Sequence, residues 1–136
     1  MFVKKINNSS SARNMDNYRN ELREAYPNLY AVECLIPRYD LTIKPWLRWN
    51  DNRNSQWWVD YNNVKHNRST HAKKANQENV KNALCGLFTM LLYLYQEELY
   101  SGDIYPNPTF LEYEKMSGSL VVNLGAELPD IPRTNV

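Results

Sequence analysis

Polar and charged side chains of several chemical types lie close together near the middle of the chain, in residues 61–71. This stretch reads YNNVKHNRSTH and contains both histidines of the protein. On a helix, Asn62 and His66 are one turn apart and share a face, whereas Tyr61 and Lys65 share the adjacent face. Amide, imidazole, phenol and ammonium groups that converge in this way suit the binding of a phosphate group.

Further positive charge lies at the end of this stretch and just after it. Arg68, Lys73 and Lys74 lie just beyond the predicted helix, where the next helix is expected to begin. Free N–H groups at a helix N-terminus attract anions, which would add to the attraction of the cationic side chains. The alternative is that the histidines cap or pack at a helix junction and that the cations form an ordinary solvated face.

Other kinds of site have little support in the sequence. His66 and His71 are five residues apart, which places them poorly on one helical face, and no acidic or cysteine ligand lies within a few residues, so we expect no metal. The four glycines do not form a phosphate-binding loop, and we expect no cofactor. Cys34 and Cys85 are too few for a disulfide framework and are expected to be small core residues.

The first third of the chain is expected to contain a helix and one or two strands. Apolar residues at spacings of three and four predict a helix from Ser11 to Tyr26, which Pro27 ends. Residues 29–36 favour a strand, although a helix fits almost as well, and residues 39–43 are a weaker strand candidate.

A tryptophan-rich loop and a short helix should carry the polar cluster. Residues 45–55 contain mainly turn-forming residues, among which Trp46 and Trp49 are expected to anchor the loop to the core. The spacing of the residues that follow predicts a helix from Ser55 to His66.

The principal core element is predicted to be one long apolar helix from about Ala75 to Leu99. Its leucine and aromatic side chains form so broad an apolar face that we expect burial on more than one side. The apolar run at residues 83–95 is shorter than the about 20 residues that a membrane crossing needs. We therefore expect a helix buried inside the protein.

The predicted fold is a single, mainly α domain over residues 1–136, with loose termini at residues 1–10 and 125–136. Residues 110–116 and 120–124 flank Ser-Gly-Ser and predict a short β-hairpin near the C-terminus. The hydrophobic content of 43% supports a real core. The net charge of +1 provides no overall attraction to nucleic acid or membrane, so any basic surface must be local. No apolar stretch follows the first lysines, and we expect a cytoplasmic protein.

Part of the chain resembles a branch of the HEPN superfamily (higher eukaryote and prokaryote nucleotide-binding domains), which are small helical bundles. The residues that carry the resemblance are Trp57-Trp58, Tyr61 to Arg68, Ala75-Asn76 and the helix to Tyr95. The signature of that family is an arginine, a polar residue, three variable residues and a histidine. Asn62 matches the polar position and His66 matches the histidine, whereas Tyr61 stands in the place of the catalytic arginine.

The resemblance implies a HEPN-like helical bundle that forms a homodimer and binds RNA or a nucleotide. Many members are metal-independent ribonucleases of toxin–antitoxin and antiphage defence systems. In that role, His66 is the general acid or base on a 2′-hydroxyl, Asn62 orients it and Arg68 stabilises the developing charge. Tyr61 occupies the remaining catalytic position, and its neutral phenol leaves open whether catalysis persists. The nucleic-acid contacts would be Lys65, Arg68, His71, Lys73 and Lys74.

A non-catalytic interaction module, such as a toxin-system partner or a phage-encoded inhibitor, is the alternative function. The tryptophan-rich segment from Trp46 to Trp58 and the polar tail would then form the surface that binds another protein, because aromatic residues are favoured at interface hot spots. The near-zero net charge fits this alternative.

Overall fold

The computed structural model describes residues 7–36, 39–95, 98, 101 and 122–123 of the chain. The protein is mainly helical and has one small antiparallel sheet. In chain order its elements are α1 (Met15–Ala25), β1 (Glu33–Ile36), β2 (Leu41–Ile43), α2 (Gln56–His66), α3 (Arg68–His71), α4 (Gln77–Leu94) and β3 (Val122–Asn123). Short 3-10 turns lie at Leu29–Ala31, Leu47–Trp49 and Ala72–Lys74. Within the described part of the chain, no helix combines the length and hydropathy that a membrane crossing requires.

Helix α1 begins later than its apolar spacing suggested. Asn14 is the N-cap, and its side-chain oxygen accepts a hydrogen bond from the backbone N–H of Asn17 at 2.9 Å. Asparagine at this position satisfies one of the N–H groups that a helix leaves unpaired, which explains why the predicted start at Ser11 was wrong. Leu22 and Arg19 face inwards from this helix.

The central strand of the sheet is β1. It pairs antiparallel with β2, where Cys34 lies opposite Ile43, and with β3, where Cys34 lies opposite Val122. The predicted strand at residues 29–36 is therefore shorter than expected, since its first residues form a 3-10 turn. The first strand of the predicted hairpin, at residues 110–116, and most of the residues predicted to be loose termini, at 1–6 and 125–136, lie outside the described residues.

Tryptophan side chains organise the core between the loop at residues 45–55 and the helices. Trp46 and Trp49 are buried with ring centroids 4.4 Å apart, and Trp57 adds a third ring 5.3 Å from Trp46. The prediction that Trp46 and Trp49 anchor this loop is confirmed. The expectation that the whole segment from Trp46 to Trp58 forms a partner surface is wrong, because its first two tryptophans are inside the protein.

Gly86 allows α4 to lie close to these rings. A Cβ atom at this position would be 3.2 Å from both Trp46 and Trp57, which is tighter than ordinary van der Waals contact. The cysteines complete the contact between the sheet and α4: Cys34 and Cys85 are buried, unbridged and hydrogen-bonded to each other. That bond and burial raise the pKa of the Cys34 thiol. The prediction that both are small core residues is confirmed.

The prediction of one long apolar helix from Ala75 to Leu99, buried on more than one side, needs correction. Helix α4 spans Gln77–Leu94, and its first turn is polar. Its buried residues all lie on one face: Cys85, Gly86, Phe88, Thr89 and Tyr93. That face packs towards the sheet and Trp46, whereas apolar residues on the other side of the helix, such as Leu84 and Leu87, remain exposed.

Candidate functional site

Helix α2 carries most of the residues predicted to form a site, and contacts at its first turn fix its position. The Ser55 hydroxyl donates a hydrogen bond to the backbone oxygen of Pro45 at 2.8 Å, and the indole N–H of Trp57 donates to the same oxygen at 3.0 Å. Both bonds hold the start of α2 against the tryptophan-rich loop. Beyond this first turn, residues three or four positions apart along α2 lie on the same side of the helix.

The structure does not join the two residues that match the HEPN signature. The side-chain amide of Asn62 donates to the backbone oxygen of Trp58 at 3.1 Å, one turn back in its own helix. His66 is exposed at the last position of α2, and no side-chain hydrogen bond links its imidazole to Asn62 or to another described residue. The structure therefore lacks the hydrogen bond by which Asn62 was predicted to orient the imidazole of His66.

The predicted cationic contacts are spread over the surface that follows α2. Asn67 ends α2 and caps α3 by accepting a hydrogen bond from the backbone N–H of Thr70 at 3.3 Å. Arg68 and Lys73 are exposed, and His71 is half-buried. Helix α3 and a 3-10 turn lie between His66 and α4, which begins at Gln77, close to the predicted start at about Ala75. Lys65 is exposed one turn after Tyr61.

Lys74 has a different role from the phosphate contact predicted for it. Its ammonium group lies 2.9 Å from the carboxylate of the buried Asp60. Asn79 and Gln56 also donate hydrogen bonds to this carboxylate, at 3.1 Å and 3.0 Å. Burial alone would raise the pKa of Asp60, but these three hydrogen bonds and the charge of Lys74 outweigh it and hold that pKa below its ordinary value.

Acid should therefore weaken the fold through Asp60. At neutral pH its lowered pKa stabilises the folded state, and this contribution is lost as the pH falls from the ordinary carboxyl value of about 3.9 through the folded-state pKa. We expect Asp60→Asn to lower the free energy of unfolding by about 1–2 kcal/mol at pH 7 and to flatten its dependence on acid pH. Urea denaturation from pH 7 to pH 3 measures both effects.

Asp51→Asn provides the matched control, because Asp51 is exposed. It should leave the neutral stability and the acid dependence close to those of the wild type. An acid dependence that is equally steep in Asp60→Asn and in the wild type would contradict this role for Asp60.

A groove with almost entirely apolar walls lies between α2 and α4, beside the Asp60 network. Its volume is about 380 Å³. The lining residues are Trp57, Trp58, Tyr61, Val64, Lys74, Ala75, Asn76, Asn79, Val80 and Ala83. Lys74 and Asn79 direct their polar groups to Asp60. Tyr61 is 53% exposed, and its ring centroid lies 5.7 Å from that of Trp58.

The apolar wall continues along α4 as an exposed stripe, which we call the α4 stripe. Its members are Val80, Leu84, Leu87, Leu91 and Tyr95. The first three are each 57% exposed, although α4 has no charged residue after Lys81. Their spacing of three and four residues was visible in the sequence, but it was read as part of the core. Trp58, by contrast, was predicted as part of a surface that binds another protein, and it is half-buried in the groove wall.

The groove is lined almost entirely by apolar atoms. Among the described residues, no group of three or more histidine, cysteine or acidic side chains is placed to hold a metal ion. The groove offers large apolar contact area and few unsatisfied polar groups, which suits an apolar surface as its ligand.

Comparison with known proteins adds no family assignment to this geometry. The chain matches no protein-family model, and no curated protein and no solved structure is significantly similar to it. The resemblance to the HEPN superfamily therefore stays a prediction based on the residues at 57–95.

Proposed function

We propose that this chain is a non-catalytic protein-interaction module whose groove between α2 and α4 binds an apolar helix. The observation that carries the proposal is the uninterrupted apolar surface from Trp58 and Tyr61 across the groove to the α4 stripe. Exposed apolar surfaces of this kind mark sites of interaction. The centres of protein interfaces are also rich in aromatic residues and poor in charge.

The shape of the site favours a helix as the ligand. Two neighbouring helices form the walls, and an amphipathic helix binds such a groove through side chains at spacings of three, four and seven residues. A small polar molecule is a poorer fit, because the polar groups of Lys74 and Asn79 are already bonded to Asp60. Specific binding of small molecules usually depends on a few free polar groups in the pocket.

The predicted ribonuclease chemistry has less support. Asn62 is bonded to its own helix, and Lys74 is paired with Asp60. His66, Lys65 and Arg68 are exposed and lie outside the groove lining. To orient the imidazole, Asn62 would have to hydrogen-bond with it, and the Asn62 side chain bonds to the backbone of Trp58 instead.

The apolar dye 1-anilinonaphthalene-8-sulfonate provides a direct test of the groove. The folded wild type at about 1 µM should increase the dye fluorescence, since accessible apolar surface binds this dye. Val80→Glu places a charge in the groove wall and should reduce the increase several-fold. Leu47→Glu is the matched control, because Leu47 is 51% exposed but lies outside the groove. Circular dichroism verifies that each variant is folded.

Equal dye fluorescence in the wild type and in Val80→Glu would contradict the proposal, provided that both chains are monomeric.

RNA binding is the second candidate function, and one observation favours it. The exposed Tyr61 ring lies against Trp58, one helical turn from Lys65, as in a stacking platform for bases beside a phosphate contact. Titration with single-stranded RNA at about 50 mM salt tests it. Binding that survives Val80→Glu but is lost in a Lys65→Ala, Arg68→Ala double variant would favour RNA over a helix.

A further inference from the structure

We infer that the outer edge of β2 is a second binding surface, at which an extended peptide segment of another protein adds to the sheet as a further strand. The strand order is β2-β1-β3, so within the described part of the chain β2 pairs only with β1. Its outer edge presents backbone N–H and C=O groups with which another strand can pair. None of the residues that line the groove between α2 and α4 belongs to this surface.

A cleft of about 440 Å³ runs along this edge, and we call it the β2 cleft. Residues 41–44 form one wall, and Glu78, Lys81 and Asn82 of α4 form the other. Successive side chains of a strand point to opposite faces of its sheet. A cavity that touches four consecutive residues of the chain therefore lies along the edge of β2 and not over one face of the sheet.

The size of the β2 cleft fits an extended peptide. A strand added beside the three residues of β2 would be about 10 Å long and about 5 Å from its neighbour, with about 10 Å between layers, which gives a volume of about 500 Å³. The volume of the cleft is close to this value. A helix is about 10–12 Å wide with its side chains and could not approach β2 closely enough to pair with its backbone.

The edge of β2 lacks the usual devices that prevent a further strand from pairing. Proline and outward-pointing lysine commonly have that effect. Leu41–Ile43 contains neither residue. The lysine that follows, Lys44, directs its ammonium group to the carboxylate of Glu33 in β1, at a distance of 2.7 Å. This ion pair holds the Lys44 side chain towards β1 and away from the outer edge.

The two faces of β2 define the side chains that the peptide should carry. Ile43 lies opposite the buried Cys34, which is hydrogen-bonded to Cys85 of α4, so Leu41 and Ile43 face α4. Thr42 lies on the other face and is exposed. Every second side chain of the added strand would therefore enter the apolar space below α4, and the others would meet water. We expect a peptide in which apolar and polar residues alternate.

The charges around the β2 cleft favour a partner of low net charge. Lys81 and Glu78 contribute one charge of each sign, and Lys44 is neutralised by Glu33. A cleft that is neutral as a whole provides no attraction for nucleic acid or for a strongly charged segment. Affinity must instead come from backbone hydrogen bonds and from the alternate apolar side chains.

Fluorescence polarisation with short synthetic peptides tests the binding. The probes are labelled seven-residue peptides in which valine, isoleucine or phenylalanine alternates with threonine. At least one should bind the wild type with a Kd below about 100 µM, and binding by none of them would overturn the inference. The best peptide is then methylated on its odd-numbered or on its even-numbered backbone nitrogens. Only one edge of an added strand bonds to β2, so one of these two forms should lose at least tenfold in affinity and the other should bind like the parent. Equal binding by both forms would overturn strand addition.

A substitution in the cleft locates the bound peptide. Asn82→Trp fills the space between α4 and β2 and should weaken binding at least tenfold, whereas Asn50→Trp makes the same change at an exposed position outside the cleft and should have no effect. In the wild type, at least one backbone amide of residues 41–43 should exchange with solvent at least tenfold more slowly when the peptide is bound. Unchanged exchange at all three amides would overturn the inference without recourse to a variant.

Val80→Glu distinguishes failure at this surface from failure of the proposed function. It alters the groove between α2 and α4 and not the β2 cleft, so it should bind the peptides like the wild type. Peptide binding that is lost in Val80→Glu and kept in Asn82→Trp would place the peptide in the groove and overturn strand addition. Absence of peptide binding together with the dye response expected for the groove would overturn strand addition alone, and the reverse result would retain it and count against the groove.

Discussion

Replacing Trp49 by alanine is expected to lower the free energy of unfolding by about 3–5 kcal/mol, the range for removal of a large aromatic side chain from a core. Trp49 has an exposed fraction of 0%, and its ring lies against that of Trp46. Alanine would leave a cavity between the loop at residues 45–55 and the rest of the core. Because small domains are stable by only about 5–15 kcal/mol, urea should unfold this variant at a much lower concentration.

Trp58→Ala provides the matched control for this prediction. It removes the same side chain from a half-buried position on the groove wall, so its effect on stability should be much smaller. Trp49→Phe should lie between the two, since it retains a ring, and the indole N–H of Trp49 has no hydrogen-bond acceptor among the described residues. Equal losses of stability in Trp49→Ala and Trp58→Ala would contradict the assignment of Trp49 to the centre of the core.

Local sequence patterns correctly predicted those features whose formation depends mainly on residues nearby in the chain. Helix α2 was expected from Ser55 to His66 and is found at Gln56–His66, because a run of turn-forming residues precedes it and Asn67 ends it. The anchoring of Trp46 and Trp49 was also predicted correctly. A tryptophan within a polar loop has few ways to remove its surface from water except by packing on the core.

Tertiary contacts decided what local patterns did not. In α4, Phe88 is buried and Leu87 is largely exposed, although both are large apolar residues on the same helix. The sequence shows that both prefer to leave water, but it does not show whether the surface that covers each belongs to the same chain. The broad apolar face was therefore assigned wholly to the core of this chain.

The groove and the Asp60 network beside it were not predicted, for a related reason. The Asp60 network joins residues from α2, the 3-10 turn before α4 and α4 itself, so no short spacing indicates it. The Asn62 and His66 pair was noticed because its spacing is local. Asn62 instead bonds to the nearest backbone oxygen one turn back, a partner that is available to it in any helix.

Arg19→Met is expected to lower the free energy of unfolding by about 2–3 kcal/mol, because hydrogen bonds from a buried cation are worth more than those between neutral groups. The Arg19 side chain is only 7% exposed. Its guanidinium donates to Asn54 at 2.6 Å, to Asn52 at 3.1 Å and to Asp16 at 2.8 Å. The bonds to Asn52 and Asn54 join α1 to the end of the tryptophan-rich loop, where Asn52 adopts a φ of 55°, and the bond to Asp16 lies within α1.

The comparison with Arg23→Met isolates this effect. Arg23 lies one turn later in α1 and also donates to Asn52, at 3.1 Å, but it is at the exposed side of the cluster. Its loss should cost no more than about 0.5 kcal/mol, as is usual for surface positions. Arg19→Lys should recover little of the lost stability, because an ammonium group cannot reproduce the planar geometry that reaches all three partners. Full stability in Arg19→Lys would mean that charge alone, and not the guanidinium geometry, holds the loop against α1.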